Sequence, residues 1–415
     1  MLESVPLPLL IAGVLALYMA WAIGANDVAN AMGTSVGSGA LTITGAILVA
    51  GTLEFAGAFL AGGHVTDTVR KDMLDMDAMT RDYLIYGMLA ALASAATLLL
   101  GATRLGLPIS TTHSIIGAIV GFGAVAIGPD AVNWPKVGQI VLSWLTSPLL
   151  SGALAYVIFG ITRSLILNKA NPLAEVRRIG PFFFFYVFFI IGLVTLFKGL
   201  KHIDLDFSLG QSLVASTALG LVGAGLGTVL LRRAEAGPKD EGQRFSQTER
   251  VFVVLQILTA CAVAFAHGSN DVANSIGPLA AIAAAVQEGA EVVHKAPVQP
   301  WMLAIGGFGI VLGLGTWGYK VMETVGKKIT ELTPSRGFAA ELAAATTIVL
   351  ASRLGIPVST THTLVGAVLG VGLARGIGAV DLRVVGSIIV SWIATLPIAA
   401  TLSIFFFYFF KGLLG

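Results

Sequence analysis

The chain has 415 residues, of which 56% are hydrophobic and 12% are charged, and its mean hydropathy is +0.87. Soluble proteins carry about 25% charged residues, so this composition excludes an ordinary water-soluble, fibrous or disordered protein and indicates an integral membrane protein. The net charge of +2 does not suggest a nucleic-acid partner. The single cysteine, Cys261, excludes an intrachain disulfide and a thiolate metal cluster.

Apolar runs along the chain predict about twelve transmembrane helices. They lie at roughly 8–24, 41–61, 83–102, 112–128, 137–160, 181–198, 212–231, 251–267, 301–320, 338–352, 361–375 and 385–410. A membrane helix needs about 20 apolar residues, and several of these runs are shorter. Short runs must tilt, break or be shielded by protein.

The charged segments between the runs predict the topology. Basic loops at 163–178, 232–250 and 320–336 follow the fifth, seventh and ninth runs and therefore lie on one side of the membrane. The positive-inside rule makes this side cytoplasmic. The acidic loop at 67–82 falls on the opposite side, so both termini are predicted to be external. The segment 232–250, rich in glycine and charge, is predicted to be a flexible linker.

Three segments of the chain occur twice. They are Gly24–Gly33 and Gly268–Gly277, Arg104–His113 and Arg353–His362, and the Ser-Trp dipeptides at 143–144 and 391–392. Seven of ten positions are identical in the first pair and eight of ten in the second. The offsets of 244, 249 and 248 residues are nearly equal, so the chain is a duplicated unit.

Each unit contains five predicted spans, and two more, at 181–231, lie between the units. Because five is odd, the second unit should run through the membrane upside down relative to the first. Inverted repeats with interrupted helices are typical of secondary transporters, which bind substrate near the midplane. We therefore expect an all-α membrane protein with a first repeat at 1–162, connecting spans and a linker at 163–250, and a second repeat at 251–415. The alternative is a duplicated scaffold without transport, but the most similar segments are polar, which lipid packing does not require.

The repeated Pro-x-Ser-Thr-Thr-His motif predicts a helix start with unusual chemistry. Proline fits a helix start, and Ser110 and Ser359 are good N-cap residues. Free backbone N–H groups and the helix dipole make such a start electropositive, and the three hydroxyls add donors. Inside a membrane this arrangement suits a tetrahedral oxyanion without a fixed Lys or Arg. The alternative is that the hydroxyls bond back to their own helix.

The repeated Asn-Asp-x-x-Asn motif predicts a cation site. Asp27 and Asp271 each follow a long apolar run, and Asp and Asn three residues apart share one helix face. Hard oxygen ligands suit Na⁺, or a proton on the carboxylate. A hydrogen-bonded cluster between helices is the alternative reading.

Charge balance links the two motifs. Two buried aspartates and a divalent anion carry about four negative charges, which repel strongly in a low dielectric unless they are compensated. The motif cores contain no Lys or Arg. Bound cations are the natural compensation, so anion and cation should bind together, and this requirement is itself a mechanism for symport.

Other polar residues are open to two readings. Glu54 and Glu341 lie in apolar runs, and an intramembrane carboxylate is a functional candidate. Arg104, like its repeat partner, precedes the Pro-Ser motif by four residues, where snorkelling at a helix end is favoured over substrate contact. His113 and His362 could relay protons or make structural hydrogen bonds.

The four long repeated segments resemble the inorganic phosphate transporter (PiT) family of secondary carriers. The hallmark of that family is a Gly-x-Asn-Asp-x-x-Asn segment near the start of each of two inverted repeats, present here at Gly24–Asn30 and Gly268–Asn274. The resemblance covers essentially the whole chain and implies Na⁺- or H⁺-coupled phosphate uptake across the cell membrane by a homodimer embedded in lipid. It aligns Glu54 and Glu341 with acidic residues of the two family repeats. The segment 232–250 is short compared with the long cytoplasmic loop of animal members, so the chain resembles a compact prokaryotic form.

The motifs and the resemblance together give a set of expected site residues. Phosphate is assigned to Ser110, Thr111, Thr112, Ser359, Thr360 and Thr361. Cation binding is assigned to Asn26, Asp27, Asn30, Asn270, Asp271 and Asn274, with Glu54 and Glu341 as candidates for coupling. The coupling ion is the one small-molecule requirement besides phosphate, and no cofactor is expected.

Several alternatives stay open from the sequence. Sodium is favoured over protons as the coupling ion because the paired Asn and Asp supply neutral and charged oxygens. Sulfate is the nearest rival substrate, but phosphate at pH 7 keeps a proton that it can donate to a carboxylate, whereas sulfate is only an acceptor. A channel and an intramembrane enzyme using Ser110 or Ser359 with a nearby histidine are more remote.

Overall fold

The computed structural model describes most of the chain. The described residues are 6–62, 73–74, 79–196, 207–233, 246–287, 298–353 and 358–415. Most of the acidic loop at 67–82 and of the segment 232–250 lies outside them, as does the side chain of Arg353. Within these ranges the fold is helical, and the β-type pairing is limited to an isolated bridge between Leu74 and Val132.

Fourteen α-helices make up the described part of the chain. In chain order they are α1 Leu7–Asp27, α2 Ala29–Gly37, α3 Ile43–Ala61, α4 Arg81–Arg104, α5 Thr111–Ala126, α6 Trp134–Thr162, α7 Pro172–Val194, α8 Leu209–Arg233, α9 Gln247–Asp271, α10 Ala273–Gln287, α11 Pro300–Glu323, α12 Pro334–Arg353, α13 Thr360–Arg375 and α14 Leu382–Leu414.

The predicted all-α membrane fold is confirmed, with differences at the helix ends. Each predicted run coincides with one helix, and nine helical stretches of the described chain are long and apolar enough to cross a membrane. The run predicted at 181–198 lies in α7, which begins earlier, at Pro172, because Asn171 caps it by accepting from the backbone N–H of Ala174. The spans that begin with α1 and α9 are interrupted directly after the motif aspartates, at Val28 and Val272.

The duplication of the sequence is matched by a duplication of helix packing. α1 packs on α11, and the corresponding α9 packs on α3. α6 packs on α13, and the corresponding α14 packs on α5. Each of these contacts joins a helix of one half to a helix of the other half. The two halves are therefore interlocked rather than side by side.

Glycine permits the closest of these helix contacts. A Cβ atom added to Gly24 would lie 1.9 Å from the carbonyl oxygen of Ile310, and one added to Gly268 would lie 2.2 Å from that of Glu54. Only a residue without a side chain allows backbones to approach so closely. Because Gly24 and Gly268 correspond in the duplication, Ile310 and Glu54 occupy corresponding places.

The two Ser-Thr-Thr motifs begin helices inside the protein. α5 and α13 have 16 residues each, or about 24 Å at 1.5 Å per residue, less than the roughly 30 Å of a bilayer core. Ser110 and Ser359 are buried N-caps whose hydroxyls each accept a backbone N–H from the following turn at 3.3 Å. The electropositive helix ends therefore lie in the interior, as the motif predicts.

Candidate functional site

The starts of α5 and α13 both reach the carboxylate of Asp27, at the end of α1. Thr111 donates a hydrogen bond to Oδ2 of Asp27, and Thr361 donates one to Oδ1 at 3.2 Å. Asn30 Nδ2 donates to the same Oδ1 at 3.2 Å and to Thr361 Oγ1 at 2.8 Å. Asp27 is 1% exposed. The cation motif of the first half and the hydroxyl motifs of both halves therefore meet at one buried point.

A second contact across the halves mirrors the first. Asn274 Nδ2 lies 3.5 Å from Thr112 Oγ1, just as Asn30 bonds Thr361. In each case the last threonine of one half's motif meets the last asparagine of the other half's motif. The predicted anion and cation residues are thus interleaved across the duplication, so that a ligand between them would touch both halves.

Asn26 has a different place from its sequence assignment as a cation ligand. Its Nδ2 donates to Thr103 Oγ1 at 2.9 Å and to the carbonyl oxygen of Leu107 at 3.1 Å. Its Oδ1 accepts from the backbone N–H of Ile109 at 3.2 Å. Asn26 therefore fastens the loop that leads into Ser110. A cation bound to Asn26 would have to share Oδ1 with the backbone N–H of Ile109. The role of Asn26 in cation binding stays a prediction.

Asp271 lies beside a histidine that the motif analysis did not single out. His267 Nε2 is 2.6 Å from Asp271 Oδ2, and His267 Nδ1 is 3.1 Å from Glu54 Oε1. Asn270 Nδ2 also donates to Asp271 Oδ1 at 2.8 Å. Ligand atoms of Asp27, His267 and Asp271 lie within 4.8 Å of one another. The two aspartates and an imidazole therefore form one compact, buried cluster.

The Glu54–His267 pair joins the two halves, and the equivalent contact in the duplication has no such polar pair. Ile23 stands at the position of His267, by the offset that relates Asp27 to Asp271. Ile310 stands at the position of Glu54, by the glycine contacts described above. The equivalent place between the two halves therefore holds two isoleucines. His267 was missed because the prediction rested on residues that both motifs share. Its position directly before Gly268 was visible in the sequence.

Glu341, the other predicted coupling residue, lies in a separate cage of neutral donors. Its Oε1 accepts from Thr34, from Ser35 at 2.8 Å and from Gln256 at 3.4 Å. Its Oε2 accepts from Thr259 at 2.5 Å. Its carboxylate is fully buried.

The Glu341 cage, which is built from both halves, also lacks a polar counterpart at the equivalent place in the duplication. By the same offsets, the corresponding residues are Ala12, Leu15, Leu92, Pro278 and Leu279. The equivalent place therefore has apolar residues instead of a carboxylate and its donors.

The remaining predicted residues lie at the edge of this arrangement. Thr112 and Thr360 are half-buried, and Thr360 lines a small cavity beside His267. Arg104 is exposed, and its guanidinium lies 5.6 Å from the ring centre of Trp317. This location agrees with snorkelling at a helix end. His113 and His362 are buried and make ring contacts with tryptophans.

The cluster around Asp27 has an oxygen suited to a cation. Asn30 Oδ1 is buried, and none of the described residues donates a hydrogen bond to it. An unpaired buried acceptor is costly, and a hard cation would satisfy it together with the neighbouring carboxylate. These oxygens are suited to Na⁺, and the alternative occupant is a proton bound to the carboxylate.

Comparison with known proteins places this geometry in context. Residues 23–403 match the model of the "Phosphate transporter family". A Haemophilus influenzae protein named "Putative phosphate permease" is 48% identical over 96% of this chain and 95% of its own length. The Arabidopsis thaliana "Inorganic phosphate transporter 2-1, chloroplastic" is 42% identical over 96% of this chain and 71% of its own length.

A solved structure is similar over nearly the whole fold. It is described as "The sodium-dependent phosphate transporter", is 41% identical, and superposes with a TM-score of 0.87 over 98% of this chain and 100% of its own. These relatives are transporters and permeases rather than enzymes. The chain is a multi-pass membrane protein that belongs to the phosphate transporter family.

Proposed function

We propose that this chain is a secondary active transporter that carries inorganic phosphate together with Na⁺ by alternating access. The observation that carries the proposal is the meeting of two electropositive helix starts, one from each half, at the carboxylate of Asp27. Helix starts favour an oxyanion, and a carboxylate at the same point repels one. The two ligands are compatible only if a cation lies between them.

Phosphate binding would use the backbone N–H groups and hydroxyls of both helix starts. The residues are Ser110, Thr111 and Thr112 at the start of α5, and Ser359, Thr360 and Thr361 at the start of α13, with each serine as the N-cap. In the present arrangement Thr111 and Thr361 donate to Asp27. A cation bound to Asp27 would take over that carboxylate, so both hydroxyls could turn to the anion. Cation binding would therefore prepare the phosphate site.

Cation binding would use the oxygens of the two Asn-Asp-x-x-Asn motifs. The assigned residues are Asn26, Asp27, Asn30, Asn270, Asp271 and Asn274. The unpaired oxygen of Asn30 and the sodium dependence stated for the similar solved structure favour Na⁺ over protons. Protons are the runner-up, because His267 joins two of the buried carboxylates.

Glu54 and Glu341 are proposed to link cation binding to movement. Glu341, on α12, is held by donors from two other helices, α2 and α9, and all four donors are neutral. A buried carboxylate without a fixed positive partner favours a mobile cation. Glu54 reaches the motif through His267, so it would act on Asp271 rather than on phosphate.

Alternating access would arise from the duplication. The interlocked packing of the halves supports two copies in opposite orientation, as the span count predicts. Exchange of conformations between the copies would open the shared site to one side and then the other. The division at 1–162, 163–250 and 251–415, the homodimer, the cell-membrane location and the external termini are parts of the same proposal.

Uptake of labelled phosphate into proteoliposomes tests the proposed function. A sodium gradient and a proton gradient are imposed separately at constant ionic strength. Concentrative uptake driven by sodium alone supports the proposal, and uptake driven only by protons replaces sodium with H⁺ as the coupling ion. Competition by excess sulfate would indicate a less selective oxyanion carrier. Single-channel conductance without saturable uptake would contradict coupled transport.

A further inference from the structure

Four aromatic rings form a continuous series of contacts, which we call the ring stack, next to the two hydroxyl motifs. His113 lies on Trp144 with ring centres 3.7 Å apart and planes at 28°, and His362 lies on Trp392 at 3.7 Å and 18°. The two imidazoles meet edge to face, 4.5 Å apart. The order of the rings is therefore Trp144, His113, His362, Trp392, and the middle contact joins the two halves of the molecule.

The ring stack adjoins the proposed phosphate site through its two histidines. His113 and His362 are in the first turns of α5 and α13, next to the hydroxyl residues, and both are at most 2% exposed. Trp144 is on α6 and Trp392 is on α14. The charged residues of these four helices lie near the helix ends, at Lys136, Arg375, Arg383 and Lys411. The rings are thus held by aromatic packing, which has a defined geometry.

Each half contributes one His–Trp pair to the ring stack, whereas the Glu54–His267 pair has no counterpart in the duplication. The same duplicated His and Trp residues therefore support both helix starts. Because the His–Trp pair occurs twice, we expect it to support an element that also occurs twice. That element is the anion-binding start of a short helix. This separates the stack from the coupling residues, which occur once.

The tryptophans also bond across the halves, but not equally. Trp392 Nε1 donates to the carbonyl oxygen of Pro108 at 3.0 Å, in the loop that leads to Ser110. The carbonyl oxygen of Trp144 lies 3.4 Å from His362 Nδ1. Trp144 Nε1 is buried, and no acceptor for it exists among the described residues. Trp392 therefore contacts the start of α13 through its ring and holds the loop before α5 through its hydrogen bond, whereas the indole N–H of Trp144 holds nothing described.

We propose that Trp144 and Trp392 are positioning residues for phosphate, which keep the two anion-binding helix starts at a fixed separation through the ring stack. Trp392 has an additional role, because its indole N–H holds the loop before Ser110. This inference rests on the proposed function of the site. It assigns phosphate affinity, rather than cation affinity, to residues that touch neither ligand.

Phosphate uptake kinetics of two matched variants test the proposal. Trp392→Phe keeps a ring and removes the bond to Pro108, whereas Trp144→Phe keeps a ring and removes an N–H without a described acceptor. One neutral hydrogen bond corresponds to about a fivefold change in affinity. We expect Trp392→Phe to raise the KM for phosphate about fivefold with little change in kcat or in the half-saturating sodium concentration. Trp144→Phe, which loses no described hydrogen bond, should raise the KM for phosphate by clearly less than Trp392→Phe does.

A second pair, Trp144→Leu and Trp392→Leu, removes the rings and should raise the KM for phosphate in both variants. A merely structural role would lower the amount of active protein, and so the maximal rate, without moving the KM. An unchanged KM in Trp392→Phe, or equal changes in the two Phe variants, would overturn the assignment of Trp392. If the Leu variants do not fold, the Phe pair decides. Failure of the wild-type protein to take up or bind phosphate would instead refute the proposed function itself.

Discussion

Thr111 and Thr361, one from each half of the chain, donate hydrogen bonds to the two oxygens of the same carboxylate, that of Asp27. This relationship brings both short helices, α5 and α13, to one point. It also gives Asp27 neutral donors that a cation can replace. The coupling proposed here follows from that exchange, because hydroxyls released from Asp27 become available to phosphate.

Replacement of a motif aspartate should remove coupling but leave the fold. Asp27→Asn keeps an acceptor for Thr111 or Thr361 and removes the charge that attracts a cation. We expect sodium-driven phosphate uptake to fall by about 100-fold or more, with unchanged elution from a sizing column. Asp271→Asn should behave in the same way. The matched control is Asp130→Asn, at an exposed aspartate outside the site, and near-normal uptake by either motif variant would contradict the account.

The stability of the Glu54–His267 pair can be compared with that of the isoleucines at the equivalent place, Ile310 and Ile23. His267→Ile alone leaves Glu54 buried without its imidazole, which should lower the free energy of unfolding by about 3–5 kcal/mol. The double variant Glu54→Ile with His267→Ile copies Ile23 and Ile310, so it should recover most of that loss. Thermal unfolding of the purified proteins ranks the stabilities of the wild type, His267→Ile and the double variant.

Uptake by the Glu54 and His267 variants separates stability from function. The double variant should be folded and fail to transport phosphate with sodium. A double variant as unstable as His267→Ile would mean that the two halves are not equivalent in packing. A double variant with wild-type uptake would show that the pair serves stability and not coupling.

The sequence predicts best what occurs in both halves, and it misses several partners of the residues that occur once. The helices, the serine caps and the meeting of the motifs follow from local patterns that occur twice. His267 has Ile23 as its counterpart, so no repeated pattern marks it. The use of Asn26 to hold a loop was equally hidden, because a side-chain amide serves a backbone or a cation according to its neighbours.

The cage around Glu341 illustrates the same limit over a longer range. Glu341 was predicted as an intramembrane carboxylate, but its donors come from α2 and α9, far away in the chain. Thr34, Ser35 and Thr259 are common residues in apolar helices, where bonding to their own backbone is the default expectation. Only the packing of three helices turns them towards one carboxylate.

Neutralisation of Glu341 should weaken the response to sodium. Glu341→Gln keeps the size of the side chain and removes the negative charge inside the cage of donors. We expect a rise of about tenfold in the sodium concentration needed for half-maximal phosphate uptake, since one unit charge is lost from a buried cation site. Sodium titration of the initial uptake rate measures it. Glu331→Gln, at a side chain that is 79% exposed, is the control, and identical sodium curves for all three proteins would contradict the proposal.

The glycine contacts between the halves predict a position-specific loss of stability. A Cβ added to Gly313 on α11 would lie 1.8 Å from the carbonyl oxygen of Trp21, whereas one added to Gly315 on the same helix meets nothing within 4 Å. Gly313→Ala should therefore cost about 1–3 kcal/mol through overpacking, and Gly315→Ala should be neutral or slightly stabilising. Thermal unfolding of the two purified variants compares them directly. Equal unfolding temperatures would mean that α1 and α11 do not pack as closely as described.

Binding of phosphate to the purified protein as a function of sodium tests the central claim most directly. Labelled phosphate is titrated in detergent at several sodium concentrations, with choline replacing sodium to hold the ionic strength constant. The account predicts that phosphate affinity rises steeply with sodium in the wild-type protein and does not respond to sodium in Asp27→Asn. Tight phosphate binding that is the same in sodium and in choline would contradict the claim that bound cations compensate the charge of the anion.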